Sequence, residues 1–329
     1  MITFGVWPGV VSTDLVRLET FIDAPPEDVE QTAEALRDLA KGAERFYVRC
    51  YRSYRGPHEP TPPDAVPYLG DGRVVDYVLG YGSPEVDPDG FADAVRAAVR
   101  EVAELGGGKL QVCEEVNVPA PLDGGSPGCY EALGAGLAAA LDERARLGVD
   151  VMIGFNAAVA LPGDPFWEAV RSAVDPEVLN RIDFLGLDFF PDVFRPVPAD
   201  ALVGAVTHVV RSFRESASAI GIPASVPMHI TETGWPTGPE NSEEQQVRVM
   251  ESVASTVFGL ASEVGVDTYE IFGLRDGLSS GPRENRFGLL RDDYSPKPVY
   301  ETVKRLIAEH SSGSGVPRKM DIPPRAGFF

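Results

Sequence analysis

Short β-prone runs alternate with helical patterns along almost the whole of this 329-residue chain, and that alternation is the tightest constraint on its fold. The runs are ITFGVW (Ile2 to Trp7), RFYVRCY (Arg45 to Tyr51), VVDYVLGY (Val74 to Tyr81) and KLQVCEEVN (Lys109 to Asn117). They continue with DVMIGFNA (Asp150 to Ala157), IDFLGLDFF (Ile182 to Phe190), MHITETGW (Met228 to Trp235) and DTYEIFGL (Asp267 to Leu274). Between them, Pro25 and Pro26 open a stretch with Val29, Ala33, Leu36 and Ala40 at helical spacing, and Gly42 stops it. A second helix lines up Phe91, Val95, Ala98, Val102 and Leu105. The proline-rich segment from Arg52 to Gly72 predicts a long loop with at most a degenerate helix. About eight such units is the number that closes a parallel barrel. The expected fold is therefore α/β, a single-domain (β/α)8 TIM barrel over residues 1–310, with a linker and tail over 311–329. An open doubly wound sheet is the alternative, but no GxGxxG turn follows the first run.

Charge narrows the partners. Against 29 basic residues stand 50 acidic ones, a net charge of −21, which repels nucleic-acid phosphates and anionic membranes and favours a neutral or cationic partner. No apolar run reaches membrane-spanning length. The first residues enter a β pattern without the features of a secretion signal, and the three cysteines have no metal or disulfide spacing, so a cytoplasmic protein is expected.

In a βα barrel, reactive groups gather at the C-terminal ends of the strands. Here those ends carry mostly carboxylates: Glu114 and Glu115 with Asn117, then Asp188, Glu232 and Glu270, joined by Arg49 and Asn156. Of the four histidines only His229 lies near a strand end, so no zinc site is expected. Two carboxylates on nearly opposite strands are what glycosidic cleavage needs, one to protonate the leaving oxygen and one to attack or to activate water. Strand alternation points Gln111, Cys113 and Glu115 into the barrel and Glu114 toward the helices, unless a bulge brings both glutamates into the mouth and raises one pKa. By the same phase His229 faces the helices, and Cys113 is a packing residue. Trp7 and Trp235 have the aromatic faces that sugars stack on, with Tyr81 and Tyr269 as further mouth candidates.

Three segments carry a resemblance. LQVCEEVN is similar to the fourth-strand end of the clan A glycoside hydrolases, ITETGWP resembles their seventh-strand nucleophile motif, and FGLLRDDYSPKPVYETVKRLI resembles the segment leading into their last helix. The similarity runs in order from the first strand to the last helix, and the galactanase-like, beta-xylosidase-like and endo-glucanase-like members are the nearest in pattern. It implies a retaining glycosidase with Glu232 as nucleophile and Glu115 as acid/base, and with Arg49 holding the nucleophile ionised. It implies no metal and no organic cofactor. The substrate would be a small-molecule carbohydrate, an oligosaccharide or a glycosylated metabolite. Glu114 stands where the clan has asparagine, Phe190 where a tyrosine often touches the nucleophile, and Ile271 where a tryptophan commonly floors the sugar subsite. Those departures keep open a catalytically silent carbohydrate-binding or scaffold barrel, and the clustered acids keep open a metal-dependent barrel hydrolase or lyase.

Overall fold

A computed structural model describes residues 1–12, 23–56 and 65–311. Eight parallel strands follow one another in chain order and close, with the eighth beside the first. They are β1 (Thr3–Trp7), β2 (Phe46–Tyr54), β3 (Arg73–Tyr81), β4 (Gly108–Val112), β5 (Val151–Ala158), β6 (Phe184–Asp188), β7 (Met228–Thr233) and β8 (Val266–Phe272). The helices are α1 (Val29–Leu39), α2 (Pro88–Glu104), α3 (Cys129–Leu147), α4 (Pro165–Ala173), α5 (Pro176–Leu179), α6 (Leu202–Ala219), α7 (Glu243–Val264) and α8 (Pro298–His310). The closed barrel excludes the open-sheet alternative. Between β2 and β3 the described residues hold only a single turn of 3-10 helix, Val66–Tyr68, as the prolines there dictate. The linker and tail fall, apart from Ser311, outside the described residues.

Local chemistry sets the helix ends. The helix expected from Pro25 starts later, because Asp28 caps it by accepting from the backbone N–H groups of Glu30 and Gln31. Ser242 and Gln245 form a reciprocal capping box on α7, and Gly148 stops α3 in the left-handed conformation. Each helix lays one apolar face on the sheet; α2 buries Phe91, Val95, Ala98, Val99 and Val102. Among the described residues no helix is long and apolar enough to cross a membrane.

Aliphatic layers usually fill such a barrel, but much of this interior is charged. Lys109 reaches in from β4 with its ammonium 4.7 Å from the Tyr47 ring and 5.0 Å from that of Phe184. His229 also points inward, correcting the helix-facing expectation. Its ring stacks on Phe184 with centroids 4.5 Å apart, Nδ1 lies 3.4 Å from Lys109 Nζ, and Nε2 is 3.1 Å from an Asp267 oxygen. The expectation failed because β7 does not keep one phase. Its register against β8 shifts between Ile230 and Thr233, so His229, Thr231 and Glu232 all serve the interior.

Candidate active site

The site forms where β4 and β7 both depart from regular strand. β4 was expected to run to Asn117 but stops at Val112. The Cys113 N–H still bonds to the Leu79 carbonyl at 2.9 Å, after which Cys113 (φ 65°) and Glu115 (φ 28°) take left-handed conformations. This turn, rather than a bulge inside the ladder, brings the two glutamates into the mouth. Cys113 is buried in the apolar layer, not inside the barrel as alternation predicted, and burial pushes its thiol far above the usual range, which suits packing.

Glu232, at the end of β7, is the focus. Its Oε1 accepts a hydrogen bond from the Tyr51 hydroxyl and lies 3.3 Å from Arg49 Nη2. Arg49 is only 1% exposed and is shared widely: Nη1 bonds Asp76 at 2.6 Å, Nε bonds the Tyr51 oxygen at 2.7 Å, and Nη2 is 3.4 Å from Glu114. Glu114 also accepts from Gln111 at 2.5 Å and from Asn156 Nδ2 at 3.1 Å. Asn156 joins the parts of the site. Its amide nitrogen also donates to Asp188, and its oxygen accepts the backbone N–H of Glu115 at 3.0 Å. Asp188 takes a second bond from Thr231 at 2.6 Å.

Arg49 pulls Glu232 down, as its position implies, but burial outweighs it. Burial pushes Glu232 up to about 7 against the opposing charge of Arg49, with Glu114 adding repulsion. Glu114 is likewise raised to about 7 by burial. Glu115 is held well above the usual carboxylate range by burial and then by the charges of Asp123, Glu232 and Glu114. Asp188 behaves the same way, from burial and the Glu232 charge. Asp123 is exposed on the rim, yet its carboxyl faces the cluster, and partial burial with the Glu232 charge takes it to about 7.

An aromatic wall stands beside the acids. Trp7, at the end of β1, stacks on Phe272 at 4.6 Å and 22° and meets Tyr51 edge-on at 5.5 Å. Phe190 packs edge-on against Phe272 at 5.5 Å and against Phe287 at 5.6 Å. Ile271 is buried on the other face of β8, and it is Phe272, not Ile271, that stands beside Trp7.

Four candidates are engaged in packing or backbone contacts rather than with the acids. Tyr81 is buried beside Tyr54 and Phe91, with its hydroxyl bonded to the Glu85 carbonyl and the Asp87 N–H. Tyr269 packs on Phe4 and Phe258, facing α7, because its neighbour Glu270 is the inward residue. Trp235 is 4% exposed in the core. Asn117 bonds both the N–H and the carbonyl of Ala158, so it ties the loop after β4 to β5. The sequence reading missed Tyr51, Asp123 and Phe272. Tyr51 and Phe272 were within reach of period-two phase, lying two residues beyond Arg49 and Glu270; Asp123 sits on a loop, where no periodicity applies.

Among the described residues, Glu114, Asp188 and Glu232 form the one group of three acids able to place an oxygen each within 4.8 Å of the others. Their oxygens already accept from Arg49, Tyr51, Gln111, Asn156 and Thr231.

No protein-family model matches the sequence, and no curated protein does. Solved structures resemble it in three dimensions. The GH5_18 protein of Streptomyces cattleya, in complex with Manβ1-4GlcNAc, superposes with a TM-score of 0.63 at 17% identity, over 97% of this chain and 83% of that one. The glycoside hydrolase family 17 β-1,3-glucanosyltransferase of Rhizomucor miehei gives a TM-score of 0.55 at 17% identity, over 90% of this chain and 96% of its own. The GH53 catalytic domain of Ignisphaera aggregans gives 0.54 at 13% identity, over 84% and 88%. The chain shares the (β/α)8 barrel of these glycoside hydrolases. At such identities the barrel is what is held in common, and the chemistry of this barrel has to be argued from its own side chains.

Proposed function

We propose that this barrel is a retaining glycoside hydrolase, with Glu232 as nucleophile and Glu115 as acid/base. One observation carries the reading. A carboxylate at the end of β7 receives both a tyrosine hydroxyl and an arginine on one oxygen, while a second carboxyl, just past β4, is pushed toward its protonated form by burial and like charge. The likeness to glycoside hydrolase barrels supports it, since carbohydrate is what the first and most similar of those described above was solved with.

The steps follow from that asymmetry. Glu115 gives its proton to the glycosidic oxygen as Glu232 attacks the anomeric carbon; the bond to the leaving group breaks and a glycosyl ester on Glu232 forms. Consuming the Glu232 charge removes one source of repulsion from Glu115, so it now stays ionised more readily. Glu115 then takes a proton from water, whose oxygen attacks the anomeric carbon and releases Glu232 as carboxylate. Arg49 and Tyr51 favour the ionised nucleophile at the start and the departing carboxylate at the end. Trp7 and Phe272 offer the apolar surface on which a pyranose ring would rest. A small glycoside, an oligosaccharide or a glycosylated metabolite fits a mouth of this kind.

A panel of aryl glycosides and their 2-deoxy-2-fluoro analogues tests the reading. Trapping of a fluoroglycosyl ester on the Glu232 peptide by mass spectrometry, with turnover lost in Glu232→Gln and Glu115→Gln, is the expected result. Binding of sugars with no turnover and no trapped ester would instead favour the silent barrel.

A further inference from the structure

Beneath Arg49 the barrel holds a second pair of acids that the steps above do not use. Asp76 on β3 and Glu270 on β8 are both 0% exposed. Lys109 Nζ contacts Glu270 Oε1 and lies 3.6 Å from Asp76 Oδ2, the same oxygen that Arg49 Nη1 holds at 2.6 Å. The other two oxygens, Asp76 Oδ1 and Glu270 Oε2, have no donor, although the two side chains are within hydrogen-bonding reach of each other. As two carboxylates they would repel at close range in a medium of low polarity. A single proton on the pair gives it a donor where two carboxylates could only accept.

The surroundings are built for such a pair. Gly5 on β1 makes the room, since a Cβ there would lie 2.8 Å from Glu270 Oε2. The Tyr47 ring from β2 and the Phe184 ring from β6 flank the Lys109 ammonium. From β7, His229 lies against Lys109 at 3.4 Å, and burial and the lysine charge hold its imidazole below its ordinary pKa, although Asp267 on its other side works the opposite way. With Glu270 protonated, Arg49 and Lys109 face one anion, Asp76, and one positive charge is left over toward Glu232. With Glu270 ionised, nothing is left over.

We propose that Asp76 and Glu270 share one proton, carried by Glu270, and that Lys109 and Glu270 thereby act as positioning residues that leave the Arg49 charge free for Glu232. Burial and the Asp76 charge push Glu270 up to about 8. Asp76, despite its own burial, is held low by Lys109 and Arg49. The role assigned to Glu232 rests on the glycosidase reading; the shared proton does not.

Two measurements separate these parts. Infrared difference spectra of the native protein against the isosteric Glu270→Gln variant, at about pH 6, read the proton directly. A carbonyl stretch of a buried carboxylic acid that disappears in the variant is expected. A native spectrum in which the substitution removes only carboxylate bands overturns the proposal, whether or not the protein hydrolyses any glycoside. The second measurement is the acid limb of the kcat/KM profile. Lys109→Met moves it up by about one pH unit, with rates below the limb falling about tenfold and recovering above it, and Lys109→Arg restores the native position. A folded Lys109→Met protein with the native profile overturns the positioning role. Should that variant not fold, the infrared result still decides the shared proton.

Discussion

The Tyr51 hydroxyl and the Glu232 carboxylate are joined through Oε1, the oxygen that Arg49 also approaches at 3.3 Å. Both donors meet the same oxygen, and they come from a single strand, β2, so the distance between them is fixed by strand geometry. Phe190, in the place where the resemblance looks for a tyrosine, therefore leaves no gap. Tyr51 supplies the hydroxyl from another strand.

Tyr51→Phe removes one of those donors without emptying the space. Burial keeps the Tyr51 proton far above its usual pKa, so in the native protein it donates throughout the neutral range. We expect kcat/KM to fall about 10- to 100-fold and the acid limb of the profile to move up, because Glu232 loses a bond to its charged form. A profile unchanged in both height and position would show that Tyr51 merely fills space.

Glu114→Gln acts in the opposite sense. It removes a like charge from beside Glu232 while keeping an oxygen for Asn156 and Arg49. The acid limb should move down by about one pH unit. No movement would mean that Glu114 is already neutral across the range, which a direct titration by NMR can check.

Stability should decline from mildly acidic to neutral pH. Glu232 and Glu114 are raised from 4.5 to about 7, and Asp123 from 3.8 to about 7. Between those limits the folded protein binds more protons than the unfolded chain, so their contribution is full below the unfolded values and is lost as pH rises through about 7. Asp76, held low, works the other way and loses its contribution only as pH falls below its usual 3.8. Calorimetry should place the highest Tm on the acid side of neutrality. A Tm that climbs steadily from about pH 5 to about pH 8 would contradict the raised values.

Chelators should leave turnover unchanged. The oxygens of Glu114, Asp188 and Glu232 lie within 4.8 Å of one another, yet protein donors already engage them, and a hard cation would have to displace several of those bonds. Activity abolished by EDTA and restored by magnesium would replace the glycosidase reading with the metal-dependent one.

How far the sequence could be read depended on the length of the signal. The barrel rests on eight repeated units, so an error of two or three residues at a strand end does not change the closure. The site rests on those same ends, where one residue decides which way a side chain points. Tyr269 and Ile271 were assigned to the mouth although Glu270, between them, is the inward residue; steady alternation would have selected Phe272 instead. At β7 steady alternation itself misleads, since the shift after Ile230 puts Thr231 and Glu232 on one side together. At β4 the two left-handed residues end the ladder, and nothing in CEEVN announces them, because neither is glycine.

The way β4 ends bears on how the protein could be recombined. From Cys113 onward the loop folds back on itself so closely that a side chain on Gly124 would run into the Glu114 carbonyl, and one on Gly125 would lie 2.5 Å from that of Val118. Glu114, Glu115 and Asp123 are thus carried by one compact piece of chain, anchored to β5 through Asn156 and Asn117. A chimera that takes its strands from another barrel would keep the acids in register only if its crossover lies beyond Gly125 and the graft brings β5 along. The inherited module at this corner of the molecule is a loop with its neighbouring strand, not the strand from which the loop springs.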